Sequence, residues 1–495
     1  MLLSNLLANL PFHTKSIKQD CLIKGITYDS RQVEKDYLFV AVKGYTTNGH
    51  LYIPEALKRG ACAVLLQEIA YAPSEVNWVQ FADTRTILPS IAARFHGYPA
   101  SKLKMIGVTG TNGKTTTTKL IEAIYREQGL TTGLIGTVHN SIGDRILPVE
   151  RTTPESADLQ KLLWEMVDAQ LQVVVMEVSS HALALHRVDE CEFDTAIFTN
   201  LTQDHLDFHG TMEDYLAAKC LLFSGLHKKN AKPGSKYAVI NADDPAAAQI
   251  KASVQVKLIT YGINNNADVQ AQNVRLTTQG TEFKVKYGEE IIELKLKLIG
   301  LFNVYNTLAA LAAGVADNIP LSVMKKALSR ETGVSGRFEL INSGQDFAVI
   351  VDYAHTPDGL ENVLKTAASI ATGKLITVFG CGGDRDRTKR PLMGEIAAKM
   401  SDYTIVTSDN PRSEDPKLII DDICVGINKV PEAVYQIIEH RRNAIRQAVC
   451  TASPGDVVLI AGKGHEDYQL IQGQRLHFDD REEAKAALEE LILNS

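Results

Sequence analysis

The segment Gly107-Val-Thr-Gly110-Thr-Asn-Gly113-Lys114-Thr115 holds the residue types that cradle a nucleoside triphosphate. It follows an apolar run over 105–109 and opens a helical pattern over 114–127. Glycines let the backbone curl until its N–H groups face a phosphate, and the helix N-terminus adds positive partial charge. Gly110, Thr111, Asn112, Gly113 and Thr116 would line the cradle, Lys114 would offset the β/γ-phosphate charge, and the Thr115 hydroxyl would reach Mg²⁺. The loop is a variant, since Val108 stands where the strict pattern has its first glycine.

Two further groups belong to the same chemistry. Glu177 closes the apolar run 173–176, where a carboxylate at the C-terminal edge of a parallel strand reaches a phosphate-held Mg²⁺. His205 follows the run 195–199 at the same edge of the next strand. A phosphate-driven switch is the rival reading, and it wants a guanine-reading Asn-Lys-x-Asp. Asn428-Lys429 continues instead as Val430-Pro431.

The elements that must position these residues alternate. Strands are expected near 105–109, 132–135, 173–178 and 195–199, with helices over 114–127 and 156–169, which is the text of a parallel sheet covered on both faces. Before residue 100 a small α/β unit is expected, with strands near 25–28, 37–42, 61–66 and 78–81 and helices near 53–59 and 88–95. Over 254–298 turn clusters at 264–266 and 277–280 separate alternating runs, so two or three antiparallel strands are expected before a helix over 303–316. A Gly/Ser link at 333–336 precedes a second α/β round with strands near 347–352, 375–379, 403–407 and 457–461 and helices near 359–370 and 394–399. Three domains follow, over 1–100, 101–334 and 335–495, which agrees with about 150 residues per domain.

Composition narrows the function. With 45% hydrophobic and 22% charged residues the chain builds ordinary cores. A net charge of −7 gives no general attraction for nucleic acid or anionic lipid, so an anionic ligand needs a local site. Seven cysteines without CxxC spacing read as reduced thiols, and neither a leader nor an apolar run of about 18 residues is evident. A cytoplasmic protein with no membrane insertion is expected.

Eight ordered motifs carry a resemblance. They are Gly110-Thr-Asn-Gly-Lys-Thr115, Glu177-Val-Ser-Ser-His181, Thr199-Asn-Leu-Thr-Gln-Asp-His205, Gly300-Leu-Phe-Asn303, Gly336-Arg337-Phe-Glu, Asp352-Tyr-Ala-His355-Thr-Pro, Gly380-Cys-Gly-Gly-Asp-Arg385 and Asp409-Asn-Pro-Arg412. In that order the chain resembles the Mur ligases of peptidoglycan synthesis. The resemblance implies a UDP-sugar domain, a central ATPase domain and a Rossmann-like C-terminal domain for an incoming amino acid. It also implies acyl-phosphate chemistry: ATP phosphorylates the carboxylate of UDP-MurNAc-L-Ala-D-Glu, and an amine displaces the phosphate.

By the same resemblance Lys219 is the lysine that CO₂ carbamylates, forming with Thr115, Glu177 and His205 the Mg²⁺ set. Asn303, Arg337, Asp352 and His355 surround the nucleotide. Tyr28, Ser30, Tyr45, Thr46 and Thr47 contact the uridine diphosphate, and Thr152, Thr153, Ser179 and Arg187 the sugar-dipeptide arm. Arg151 and Leu185 depart from the family pattern, which has Asn and Gln there. Arg385, Asp409, Asn410, Pro411, Arg412, Gly462 and Glu466 meet the amino acid. Arg412 offers a planar donor for the extra carboxylate of meso-diaminopimelate. That favours diaminopimelate over lysine as acceptor, while the Tyr28-Asp-Ser-Arg segment argues against a folylpolyglutamate synthetase. A monomer working on small-molecule substrates is expected.

Overall fold

The computed structural model describes residues 1–44, 47–227, 232–277 and 280–493. Among them the strands form sheets of five, eleven and six strands and one two-stranded hairpin.

In the first sheet the strands run Thr14–Ser16, Asn77–Gln80, Ala61–Leu66, Tyr37–Val40, Gly25–Thr27 in space, parallel except for the first. Its two faces bury Leu38, Val40, Leu65 and Val79 on one side and Phe39, Val64 and Leu66 on the other. The helix over it is Thr84–Phe95, longer than expected. Asp83 caps it by accepting from the Arg85 N–H, which starts the helix one turn before the apolar pattern begins.

The central sheet sets the site. Lys104–Thr109 lies between Thr195–Phe198 and Val173–Glu177, all parallel, with Glu177 opposite Val108 and Phe198 opposite Thr109. Three strand ends therefore open at one edge. Tyr237–Asn241 and Lys257–Gly262 extend the parallel part on one side and Thr132–Ile135 on the other. The helix Lys114–Glu127 buries Leu120, Ile121, Ile124 and Tyr125 against Leu308 and Leu311 of the helix Leu301–Ala316. The expected antiparallel strands are Val269–Thr277, Gly280–Tyr287 and Glu290–Leu296, with Phe283, Val285, Leu294 and Leu296 buried at period two. The strands Asn140–Ile142 and Arg145–Leu147 were not anticipated. They are three residues each, too short for an alternation to declare itself.

The third sheet runs Glu339–Ile341, Ala348–Asp352, Val457–Ala461, Leu375–Phe379, Tyr403–Val406, Tyr435–Ile437, the first antiparallel and the rest parallel. Apolar clusters cover both faces. The helix expected over 394–399 runs Lys389–Met400, because the buried Arg390 reaches Glu414 (2.8 Å) and Asp422 (2.9 Å) and so brings a polar first turn into the fold. Behind the sheet, Arg441 of the helix Arg441–Thr451 meets Asp480 of the helix Asp480–Leu493 through two 2.7 Å hydrogen bonds, with both side chains sealed from water. Among the described residues no helix is long and apolar enough to cross a membrane.

A buried pair is costly to halve, because the remaining charge stays desolvated. Asp480→Ala is expected to lower stability by about 3–5 kcal/mol, read as a lower urea midpoint by circular dichroism. An unchanged midpoint would mean that the pair carries no net stability.

Candidate active site

The loop 110–113 is wedged between two walls. Gly110 has φ 149°, and a Cβ there would collide with the Thr199 hydroxyl; Gly113 has φ 86°, and a Cβ there would collide with Asn306 Oδ1. Neighbouring bonds hold the curl. Thr111 N–H donates to the Asn200 carbonyl (2.9 Å), Asn112 N–H to Asn200 Oδ1 (2.8 Å), and Thr199 Oγ1 to the Asn112 carbonyl (2.7 Å). The Thr111 hydroxyl also meets Tyr215 (3.1 Å). Thr199, Asn200, Tyr215 and Asn306 build this cradle; Thr199 and Asn200 stand in a motif already quoted but without a role, and Tyr215 and Asn306 were given none, since only proximity in space reveals the contacts.

Lys114 folds back and donates to the carbonyls of Gly110 (2.9 Å) and Thr111 (2.8 Å). Burial lowers its pKa, which Glu177 and Asp204 partly counter and Arg337 reinforces. Thr115 is buried, and its hydroxyl accepts a long bond from Arg337 Nη2 (3.5 Å) of the C-terminal unit. The Arg337 guanidinium lies 4.5 Å over the Tyr353 ring and keeps a buried Nε without a hydrogen-bond partner among the described residues. Thr116 is buried within the helix.

Glu177 is buried, its two oxygens accepting from the Thr137 N–H (2.8 Å) and hydroxyl (3.0 Å). Lys219, on the helix Met212–Ser224, is 1% exposed, and its ammonium sits 4.1 Å over the Tyr215 ring. Burial first and Lys114 second hold its pKa well below the usual lysine range, against Asp204 and Asp244. His205 adopts φ 55° at the start of the turn Leu206–His209, with Nε2 3.4 Å from Asp204 and its ring 4.8 Å from His181. Among the described residues no three His, Cys, Asp or Glu side chains converge as a metal cage. The hard oxygens of Glu177 and Thr115 beside a phosphate cradle still suit Mg²⁺, which takes one or two carboxylates and completes its shell with phosphate and water.

Around this groove the other predicted residues divide. Asn303 donates to the Ile299 carbonyl (2.9 Å) and accepts from Asn306 (3.1 Å), so it orders the wall beneath Gly113. Asp352 accepts from the N–H groups of Phe338 and Ala354 (both 2.7 Å) and thereby fixes the Arg337 segment. Burial pushes its pKa up to about 6, against Arg337. His355 Nδ1 meets the Tyr353 carbonyl (2.9 Å).

A second chain of contacts runs from Glu177 toward the first domain. Thr153 donates to the Glu177 carbonyl (2.9 Å) and accepts from the Ser179 N–H (3.1 Å). Arg187 donates to the Thr153 carbonyl (3.2 Å) and pairs with Glu155 (2.8 Å). Thr152 meets Thr137 (3.1 Å). Tyr28 donates to Asp158 (2.7 Å) across the domain boundary, and Ser30 to Glu55 (3.0 Å). Thr47 is exposed, while Tyr45 and Thr46 lie outside the described residues.

A third cluster occupies the C-terminal sheet edge. Asn410 donates to Glu466 (2.8 Å) and accepts from the Leu470 N–H (2.9 Å) and from Lys463 (3.3 Å). Lys463 is sealed from water and also reaches Glu466 (3.3 Å); it stands inside Gly462-Lys-Gly-His-Glu466, where only the flanking residues had been singled out. Burial and Asp409 raise the Glu466 pKa. Asp409 is buried against Gly462, and the Arg441 Nη1, which has no hydrogen-bond partner among the described residues, stands 4.0 Å away. Arg412 takes φ 54° and donates to the Gly383 carbonyl (2.7 Å), with Pro411 before it buried against Gly383. Arg385 is exposed, donates to the Asp384 carbonyl (3.0 Å), and joins no hydrogen bond of this cluster among the described residues.

Comparison with known proteins is decisive. Three family models match: Mur ligase family, catalytic domain, over 22–96; Mur ligase middle domain over 108–314; and Mur ligase, glutamate ligase domain, over 336–464. A relative from Syntrophomonas wolfei, named UDP-N-acetylmuramoyl-L-alanyl-D-glutamate–2,6-diaminopimelate ligase, is 46% identical over 99% of both chains. One of the same name from Caldanaerobacter subterraneus is 49% identical over 94% of this chain and 95% of its own. The chain belongs to the Mur ligase family. A solved structure of a ligase of that name superimposes on this Mur ligase with a TM-score of 0.67 at 35% identity, covering 95% of each chain.

The Mur ligase groove is also rich in neutral imidazole. His181, His205, His209 and His355 each have a pKa lowered to about 4, chiefly by burial. The unfolded chain protonates them near about 6.5. Their contribution to stability is therefore complete above about pH 6.5 and is lost as pH falls toward about 4. Thermal unfolding from pH 7 down to pH 5 is expected to show a steadily falling midpoint, less steeply in His181→Phe, whose ring keeps the stack on Phe208 (4.2 Å). Identical slopes would remove His181 from this titration.

Proposed function

We propose that the chain joins meso-2,6-diaminopimelate to UDP-N-acetylmuramoyl-L-alanyl-D-glutamate at the expense of ATP, in cytoplasmic peptidoglycan precursor synthesis. The observation that carries the reading is the meeting at one groove of the glycine-cradled loop with Lys114, the strand-end Glu177, and Arg337 from the C-terminal unit. The names of the relatives supply the substrates. Residues 1–100 take the UDP end of the sugar nucleotide, 101–334 the ATP, and 335–495 the amino acid.

A carboxylate is a poor acyl donor, because oxide would have to leave. Transfer of the γ-phosphoryl to the dipeptide carboxylate gives an acyl phosphate and ADP. The acceptor amine then attacks the carbonyl carbon, the tetrahedral adduct expels phosphate, and the amide remains with one proton released. Lys114 and Arg337 offset charge on the transferring oxygens. Mg²⁺, when bound, neutralises phosphate charge, and Thr115, Glu177, His205 and Lys219 would hold it. Lys219 enters that set as a carbamate. Burial favours its uncharged amine over the ammonium, and the uncharged amine is the form that adds to CO₂ with loss of a proton.

Asn410, Glu466 and Arg412 receive the acceptor, Glu466 its distal ammonium and Arg412 its distal carboxylate. The arms Thr152, Thr153, Ser179 and Arg187 hold the dipeptide beside Glu177. Tyr28, Ser30, Tyr45, Thr46 and Thr47 hold the uridine diphosphate.

Purified protein with ATP, Mg²⁺ and the UDP-dipeptide is expected to yield the diaminopimelate adduct by mass spectrometry and little of the lysine adduct; equal use of the two acceptors overturns the assignment. Arg412→Ala is expected to raise the diaminopimelate KM by about 10²-fold or more, with ATP binding nearly unchanged by calorimetry. Lys219→Ala should lose most turnover, and bicarbonate should not restore it. Full activity in that variant would free Lys219 of the role.

A further inference from the structure

One carboxylate of the C-terminal unit touches the phosphate loop and lies outside the residues assigned above to ATP, dipeptide and acceptor. Asp358 lies in the first turn of the helix Pro357–Ile370, capped by Thr356, whose hydroxyl accepts from the Gly359 N–H (3.1 Å). Its Oδ2 accepts from Asn112 Nδ2 (2.8 Å) and from Thr202 Oγ1 (3.1 Å).

Those donors stand on different loops of the central unit. Asn112 belongs to the cradle, and Thr202 to the segment 199–205 that ends at His205. The two loops are already laced together: Thr202 N–H donates to Thr111 Oγ1 (3.0 Å), and Thr111 and Asn112 N–H groups donate to Asn200. One oxygen from another domain thus grips both walls of the nucleotide groove. The Asn112 backbone is meanwhile held wholly from within the central unit, and its side-chain amide is shared between Asp358 (2.8 Å) and a longer bond to Thr202 Oγ1 (3.4 Å).

A carboxylate beside a triphosphate cradle repels the ligand, so nucleotide contact does not account for its place. Its own helix N-terminus favours the charge, and a charged acceptor makes each of the two bonds stronger than a neutral one would. The gain is registration. The same helix follows directly on Asp352-Tyr-Ala-His355, and the strand before it pairs with the strand that leads to Lys463 and Glu466.

We propose that Asp358 is a positioning residue that seats the C-terminal domain on the Asn112 and Thr202 side chains, fixing where the acceptor amine meets the activated carboxylate. The proposal rests on the ligase reading above for its kinetic consequence, and on the two hydrogen bonds for its structural one. Misplacing reacting atoms that must come within about 3–3.5 Å costs rate, not binding.

The test uses the full chain. Asp358→Ala is expected to lower kcat about tenfold or more, the worth of a charge-assisted bond, while the ATP KM stays within about threefold. Asp358→Asn, which keeps an acceptor oxygen, should retain most of the rate. In a cycle with Asn112→Ala the double variant should lose less than the product of the two single losses, because the pair shares one bond. An unchanged kcat in Asp358→Ala, or losses that multiply, overturns the proposal. Small-angle scattering of the ligand-free protein separates this from the ligase reading: Asp358→Ala should expand the particle, and a superimposable profile overturns the latch whatever the protein catalyses. Absence of amide product from the unmodified chain would instead overturn the ligase reading.

Discussion

The cradle has no room for a side chain at residues 110 and 113, and this exclusion organises the molecule. Thr199, just past the strand Thr195–Phe198, presses on Gly110; Asn306, from the helix that returns after the antiparallel ribbon, presses on Gly113. The loop is therefore clamped by segments about ninety and two hundred residues downstream, counted from the separations of its own bonds. Clamping aims the first N–H groups of the helix Lys114–Glu127 at a single point. It also explains why the sheet must set Val173–Glu177 and Thr195–Phe198 on either side of Lys104–Thr109: only then do Glu177 and His205 open on the groove that the glycines define.

Charge in that groove is unbalanced in a useful direction. Lys114 is opposed by Arg337 and itself opposes Lys219, while Glu177, Asp204 and Asp244 supply the opposing sign. Lys114 spends its hydrogen bonds on two loop carbonyls, which are weaker partners than a phosphate oxygen. An arriving polyanion relieves the repulsion and replaces those bonds with charge-assisted ones. The buried Lys219 has no carboxylate partner among the described residues, and its pKa is lowered accordingly. The proposed carbamate would exchange that disfavoured cation for an anion beside Lys114, whose charge now repels it.

Local text betrayed the groove far better than the surfaces that serve it. A strand, a glycine-bearing loop and a helix announce 104–127 because each signal is local: an apolar run, positive-φ positions and a 3.6 period. Four strands of the parallel sheet and the antiparallel ribbon were legible for the same reason, whereas Tyr237–Asn241 and Lys257–Gly262 were not expected. The three-residue strands at 140–147 were not, nor was the extra turn at Thr84, which depends on one Asp83 cap. Residues that act across space left no trace. Asn306 sits in an apolar helix, Arg441 opens an unremarkable one, and Asp358 reads as an ordinary first-turn acid. Lys463 stood in plain view between two residues taken for ligands, but a lysine in sequence reads as solvated until its burial is seen.

That buried lysine bears on how the acceptor end discriminates. Glu466 is drawn toward its neutral form by burial and by Asp409, and Lys463 opposes this from one side only. Asn410 gives its amide to Glu466 and its carbonyl to Leu470 and Lys463, so the cluster is internally tied, with Lys463 beside Glu466 (3.3 Å) and Arg441 beside Asp409 (4.0 Å) but bonded to Asp480. On the proposed assignment, Glu466 would take the distal ammonium of the acceptor as a further partner. Arg412 offers the opposite complement a few residues away, held by a carbonyl through one nitrogen, in a left-handed backbone that the hairpin bridge at Ile471 maintains. A ligand with an ammonium and a carboxylate on the same carbon satisfies both halves at once. On the proposed assignment, one that carries the ammonium alone would leave the guanidinium desolvated against it, and the penalty for that unpaired group, not any added attraction, would separate diaminopimelate from lysine.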